Sequence, residues 1–106
     1  MSENKLYKVS SSLETSGYKT KIKEYEVKTT PKCYVCDIEN LRINKDRIMK
    51  IDTIMVENHS SIRYFIYCLN GQQEEALSML KNHITEKLLE YKSEIDLKYQ
   101  HLMNYN

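Results

Sequence analysis

The stretch Ile62–Leu102, IRYFIYCLNGQQEEALSMLKNHITEKLLEYKSEIDLKYQHL, decides the fold. Its first eight residues alternate. Ile62, Tyr64, Ile66 and Cys68 share one side of an extended chain, and Arg63, Phe65, Tyr67 and Leu69 share the other. Both sides are largely apolar, which predicts a central strand covered on both faces. Asn70-Gly71 ends the strand, and from about Gln73 the period becomes helical. Leu77, Leu80, Ile84, Leu88, Tyr91, Ile95, Tyr99 and Leu102 follow one another in steps of three and four, with no Gly or Pro between them. That spacing is an eleven-residue repeat of a nearly straight helix. Thirty residues rise roughly 45 Å, whereas a strand of five or six residues spans only about 17–20 Å. The helix should therefore overhang its sheet. Its outer stripe of Tyr91, Ile95, Tyr99 and Leu102 predicts an oligomer interface, because an exposed apolar stripe calls for a partner.

Working outward toward the N-terminus, the chain reads as short strands. Lys5–Ser10 alternates, and Ser10, Ser11 and Ser12 suggest a polar break. In Tyr18–Lys28, YKTKIKEYEVK, the residues Tyr18, Thr20 and Ile22 oppose Lys19, Lys21 and Lys23. Tyr25 and Val27 then fall out of phase, which predicts a β-bulge near Lys23–Glu24. The lysine row suits an edge strand that repels pairing. Thr29-Thr30-Pro31 stops this strand. Lys32–Cys36 resumes extended structure, Asp37–Asn40 turns, Leu41 and Ile43 restart a strand, and Asn44–Asp46 opens a short helical turn with Ile48 and Ile51 facing inward. Thr53–Glu57 and Ile62–Leu69 pair as a hairpin around Asn58-His59-Ser60-Ser61. The expected class is α+β: one domain over residues 1–106, a twisted antiparallel sheet over about 5–70, packed by an amphipathic helix over about 73–103.

Composition narrows the function classes. Two Gly and one Pro in 106 residues leave little of the loop freedom on which phosphate cradles and loop-built active sites depend. Residues 1–72 carry twelve Lys/Arg against nine Asp/Glu, and residues 73–106 carry four against six. The sheet region is thus mildly basic and the helix mildly acidic, far from the dense charge of a sequence-specific DNA-binding domain. No apolar run reaches membrane-span length, and Met1–Lys8 lacks a signal-peptide core. Three cysteines in such a chain read as free thiols of a reducing, cytoplasmic compartment.

Cys33-Tyr34-Val35-Cys36 has the spacing of half a zinc site, but no second pair accompanies it, and on a strand the two thiols point to opposite faces. They read as structural cysteines, and no metal or cofactor is expected. His59 beside Ser60 reads as a turn rather than a nucleophile pair, and His83 reads as a surface or interface residue at the edge of the helix stripe. Glu86, Glu90 and Glu94 form an acidic ladder on the helix. P-loop, dinucleotide-binding, zinc-protease and nucleophile-elbow motifs are absent. The set most suited to a ligand is Arg42, Arg47 and Arg63 with Tyr64 and Tyr67, since guanidiniums fork onto phosphates and tyrosines stack on bases. Lys45 belongs to the same basic neighbourhood, and solvated charges flanking core tyrosines are the plain alternative.

The run KCYVCDIENLRINKDRIMKIDTIMVENHSSIRYFIYCLNG with EEALSMLKNHITEKLLEYKSEI resembles small accessory proteins of phages of Gram-positive bacteria. Its layout is similar to that of the sponge proteins that counter Thoeris defence by sequestering cyclic nucleotide signals. The resemblance implies a non-enzymatic oligomer that holds a phosphate-bearing nucleotide with arginine and aromatic side chains in the host cytoplasm. Two other functions remain open: an inhibitor that blocks a host defence effector such as a CRISPR nuclease through its acidic helix, and a small nucleotide hydrolase.

Overall fold

The computed structural model describes residues 4–53 and 61–105. Six strands form one curled antiparallel sheet in the order β4-β3-β2-β1-β6-β5, and a single helix, α1, follows. The strands are β1 (Asn4–Glu14), β2 (Gly17–Thr29), β3 (Cys33–Cys36), β4 (Leu41–Asn44), β5 (Ile51–Thr53) and β6 (Ser61–Leu69). A short 3₁₀ turn, Lys45–Arg47, follows β4, and α1 spans Gln73–Met103. The expected α+β layout is present. β6 lies between β1 and β5, as its two apolar faces require. The expected turn at Asn58–Ser61 falls largely outside the described residues, but β5 and β6 pair antiparallel, Thr53 opposite Tyr64.

Two expectations are corrected. Ser10–Ser12 do not break β1, which runs eleven residues through them. Nor does β2 carry a bulge: its register with β1 is unbroken from Asn4↔Val27 to Glu14↔Gly17. The change of phase in the sequence has another cause. Only the second half of β2 is buried, and its first half is exposed on both faces. Tyr25 and Val27 are buried on the concave face, while Tyr18 and Ile22 lie exposed on the helix side.

That division follows from what covers each face. On the helix face, Val9, Ile62, Tyr64, Ile66 and Cys68 pack against Ala76, Leu80 and Ile84. The helix packs mainly over β1 and β6. On the concave face, β3 and β4 curl over the lower half of the sheet, and Leu6, Tyr25, Val27, Cys36, Ile43 and Tyr67 form a second core. The chain after β4 closes this core. Ile48 bridges to Tyr67, and Met49 N–H donates to the Tyr67 carbonyl at 2.8 Å. Thr30 Oγ1 bonds both the N–H and the carbonyl of Cys33, at 2.9 and 3.1 Å, fixing the Pro31 turn that starts the curl.

The helix begins where β6 ends. Gly71, at φ +92°, makes the turn. Gln72 Oε1 accepts from Leu69 N–H at 2.9 Å, and Glu74 and Glu75 occupy the first turn, where the helix dipole favours acids. α1 then runs back antiparallel to β6. At 1.5 Å per residue its thirty-one residues rise about 46 Å, against about 30 Å for the nine residues of β6. Tyr91 is the last residue packed on the core, and residues 92–105 are all exposed. The overhang was expected from short strands. β1 and β2 are in fact long, and the overhang arises because the helix outruns β6, giving a molecule of 72 × 22 × 20 Å. No helix among the described residues is long and apolar enough to cross a membrane.

Candidate functional site

Strand alternation places Lys8, Ser10, Ser12 and Glu14 of β1 on the concave face, opposite Lys23, Lys21, Lys19 and Gly17 of β2. Arg63 and Phe65 of β6 stand opposite Ser12 and Ser10 on the other side. The second core fills this face only as far as Tyr25 and Tyr67. Beyond it the concavity stays open as a trough of about 610 Å³, within the size range of small-molecule sites. Its floor is the short hydroxyl side chains of Ser10 and Ser12, and its rims are lysines.

The electrostatics are one-sided. Lys8 and Lys23 are directly opposed on adjacent strands, a placement that costs stability unless something neutralises it. Part of the relief comes from rings and one acid. Lys8 Nζ lies 4.6 Å above the Phe65 ring, and Lys23 Nζ lies 4.9 Å above Tyr25 and 3.5 Å from Glu39. Tyr25 and then Glu39 hold the Lys23 ammonium above its ordinary pKa. The Lys19 and Lys21 side chains have no ion-pair or hydrogen-bond partner among the described residues. Arg63 Nη2 bonds Glu14 Oε1 at 2.6 Å and closes the far end of the trough.

The five residues expected to bind a ligand do not share one surface. Arg63 lies in the trough. Tyr64, its neighbour, also borders the trough, but its ring stacks edge-on against His83 of the helix, centroids 4.5 Å apart. Tyr67 is buried in the second core beside Phe65, and burial raises its hydroxyl pKa while Arg47 opposes the shift. Arg47 is ion-paired with Asp52. Arg42 is exposed on β4, at the far edge of the sheet from β6. The lysine row, read from the sequence as edge protection, does border an open edge, because β3 pairs with β2 only at Lys28 and Thr29. It also rims the trough, together with Lys8. The signal that could have found this was the serine run: three serines inside a strand leave a shallow floor beneath longer neighbours.

The cysteines are free and buried. Cys33 donates its S–H to Asn44 Oδ1 at 3.1 Å, and Cys36 packs in the second core. Cys68 lies in the helix-side core, where burial pushes its thiol pKa up. Among the described residues, no three His, Cys, Asp or Glu side chains converge as a metal site. No family model matches the chain, and no curated protein or solved structure matches it either.

Proposed function

We infer that this protein is a non-catalytic binder of a small phosphate-bearing ligand, a nucleotide by class, held in the lysine trough. The observation that carries this reading is the direct opposition of Lys8 and Lys23 above a serine floor, with the Lys19 and Lys21 side chains, unpaired among the described residues, beside them. A phosphate between the rows relieves the lysine repulsion and accepts from the Ser10 and Ser12 hydroxyls. The half-buried Phe65 ring under Lys8 offers a base an apolar surface. Glu14 is committed to Arg63 and is poorly placed for acid–base work on a bound ligand. Binding without turnover is the behaviour of a sponge, and it suits a protein that sequesters a signalling nucleotide in the bacterial host cytoplasm.

The test is a thermal melt with inorganic phosphate, a nucleoside monophosphate and a cyclic dinucleotide, followed by recovery of the ligand. The expected result is a rise in Tm with at least one nucleotide and ligand released unchanged on heating. A hydrolysed product would replace binder with hydrolase. A second reading, a blocker of a host defence protein, draws on the exposure of Glu86, Glu90 and Glu94 along the acidic helix. No Tm rise with any phosphate compound at millimolar concentration would leave that reading in place of the first.

A further inference from the structure

We propose that the open edge of β2, over residues 17–22, takes up an extended acidic segment of another protein as an added strand. β2 pairs with β1 along residues 17–27, but with β3 only at Lys28 and Thr29. Before Lys23, the backbone groups of alternate residues therefore point away from β1 and have no neighbouring strand among the described residues. Six residues rise about 20 Å, the length of an ordinary strand. An added strand gains affinity from such backbone groups and specificity from the side chains beside it.

The covered part of β2 shows what the occupant must carry. There Lys28 meets Asp37 of the β3–β4 turn at 3.3 Å. Lys23, at the margin of the open stretch, meets Glu39 of the same turn at 3.5 Å. Lys21 and Lys19 continue the row from Lys23 along the open stretch, and no acid among the described residues reaches either side chain. Acids two residues apart on an added strand supply to them what the turn supplies to Lys28 and Lys23. On the other face of the strand, Tyr18 and Ile22 are 42% and 47% exposed, and apolar side chains at the intervening positions cover them. The occupant is therefore a segment that alternates acidic and apolar residues. A second copy of β2 is the wrong occupant. Antiparallel pairing about Lys21 sets Lys19 against Lys23, and pairing about Thr20 sets Lys19 against Lys21.

The experiment is an NMR titration of the full chain with a capped heptapeptide alternating Val and Glu, read by amide shifts and hydrogen exchange. Two further peptides carry N-methyl groups, one at every Glu and one at every Val, so each loses the donors of one edge and keeps its charge. The largest shifts and the slowed exchange are expected at residues 17–22, with Arg63 unmoved, which separates an edge strand from a ligand in the trough. One methylated peptide should bind as the parent does, and the other at least about tenfold more weakly. Lys19→Glu with Lys21→Glu should weaken the Glu peptide at least about tenfold and admit a peptide alternating Val and Lys in its place. No binding at millimolar peptide, or two methylated peptides that both bind as well as the parent, would overturn the proposal. Protection of residues 17–22 before peptide is added, in a protein that sediments as a dimer, would overturn the choice of occupant and give the edge to a second copy.

Discussion

Arg63 and Glu14 stand on adjoining strands at the open end of the trough, with Nη2 2.6 Å from Oε1. Both side chains are partly exposed, so the pair adds little to stability. Its consequence is for binding, since it holds the one guanidinium of the trough to an acid. Glu14→Gln should therefore leave the melting free energy within about 0.5 kcal/mol of wild type. The same change should tighten a phosphate-bearing ligand by a few fold, measured by calorimetry, because Arg63 becomes free to fork onto it.

The helix is held by its first half alone. Leu80 is fully buried between helix and sheet, and Leu80→Ala should cost about 2–5 kcal/mol by the transfer and cavity terms together. Ile95→Ala removes a comparable aliphatic side chain from a position without a core. At concentrations where the protein is monomeric it should change stability by less than about 0.5 kcal/mol. Urea melts of the two variants separate these outcomes.

Ser11 is the buried polar side chain of the helix face, and the Tyr18 hydroxyl donates to its Oγ at 3.0 Å. Tyr18→Phe leaves that oxygen without its donor and should cost about 1–2 kcal/mol. Adding Ser11→Ala should recover much of the loss. A double-mutant cycle by denaturant melts reads the coupling directly.

This pair also marks the limit of what the sequence discloses. Helix α1 is legible in the sequence, because the uninterrupted three-four spacing from Leu77 to Leu102 has no strand reading. β6 was legible as a central strand from its two apolar faces. The serines misled because their side chains carry no hydrophobic signal. Whether such a run turns or continues depends on neighbours that only the folded register brings together, Tyr18 for Ser11 and the lysines for Ser10 and Ser12. β2 misled for a related reason. Tyr18 and Ile22 are apolar yet exposed, while Tyr25 and Val27 are buried on the other face, and that change of phase mimics a bulge. The trough escaped notice because its rims lie on β1 and β2, and its arginine on β6 some forty residues away. Arginines suggest phosphate binding in the sequence more strongly than lysines do, and Arg63 and Tyr64 are adjacent in the chain although their side chains face opposite ways.

Alkaline pH should destabilise the fold from several positions at once. Burial raises the Cys68 thiol above its ordinary 9.0 and the Tyr67 hydroxyl above 10.0, while a hydrogen bond to Glu24 raises the Tyr7 hydroxyl. Lys23 is raised by Tyr25 and Glu39. Each group is protonated in the native state beyond the pH at which the unfolded chain loses its proton. Their contributions are intact below the unfolded values and are lost as pH rises through the folded ones. The Tm should hold steady from neutrality to about pH 8.5 and fall above about pH 9. Cys68→Ala should move the onset of that fall toward the tyrosine range, read by melts in matched buffers.

The most direct measurement of the central claim is an amide-resolved NMR titration of the full chain with a cyclic dinucleotide at low salt. The account predicts shifts concentrated at Lys8–Ser12, Lys19–Lys23 and Arg63, abolished by Lys19→Glu with Lys21→Glu, while Arg42 and the helix beyond Tyr91 stay still. Shifts centred on Arg42 and Arg47, or binding that survives the loss of both lysines, would contradict it.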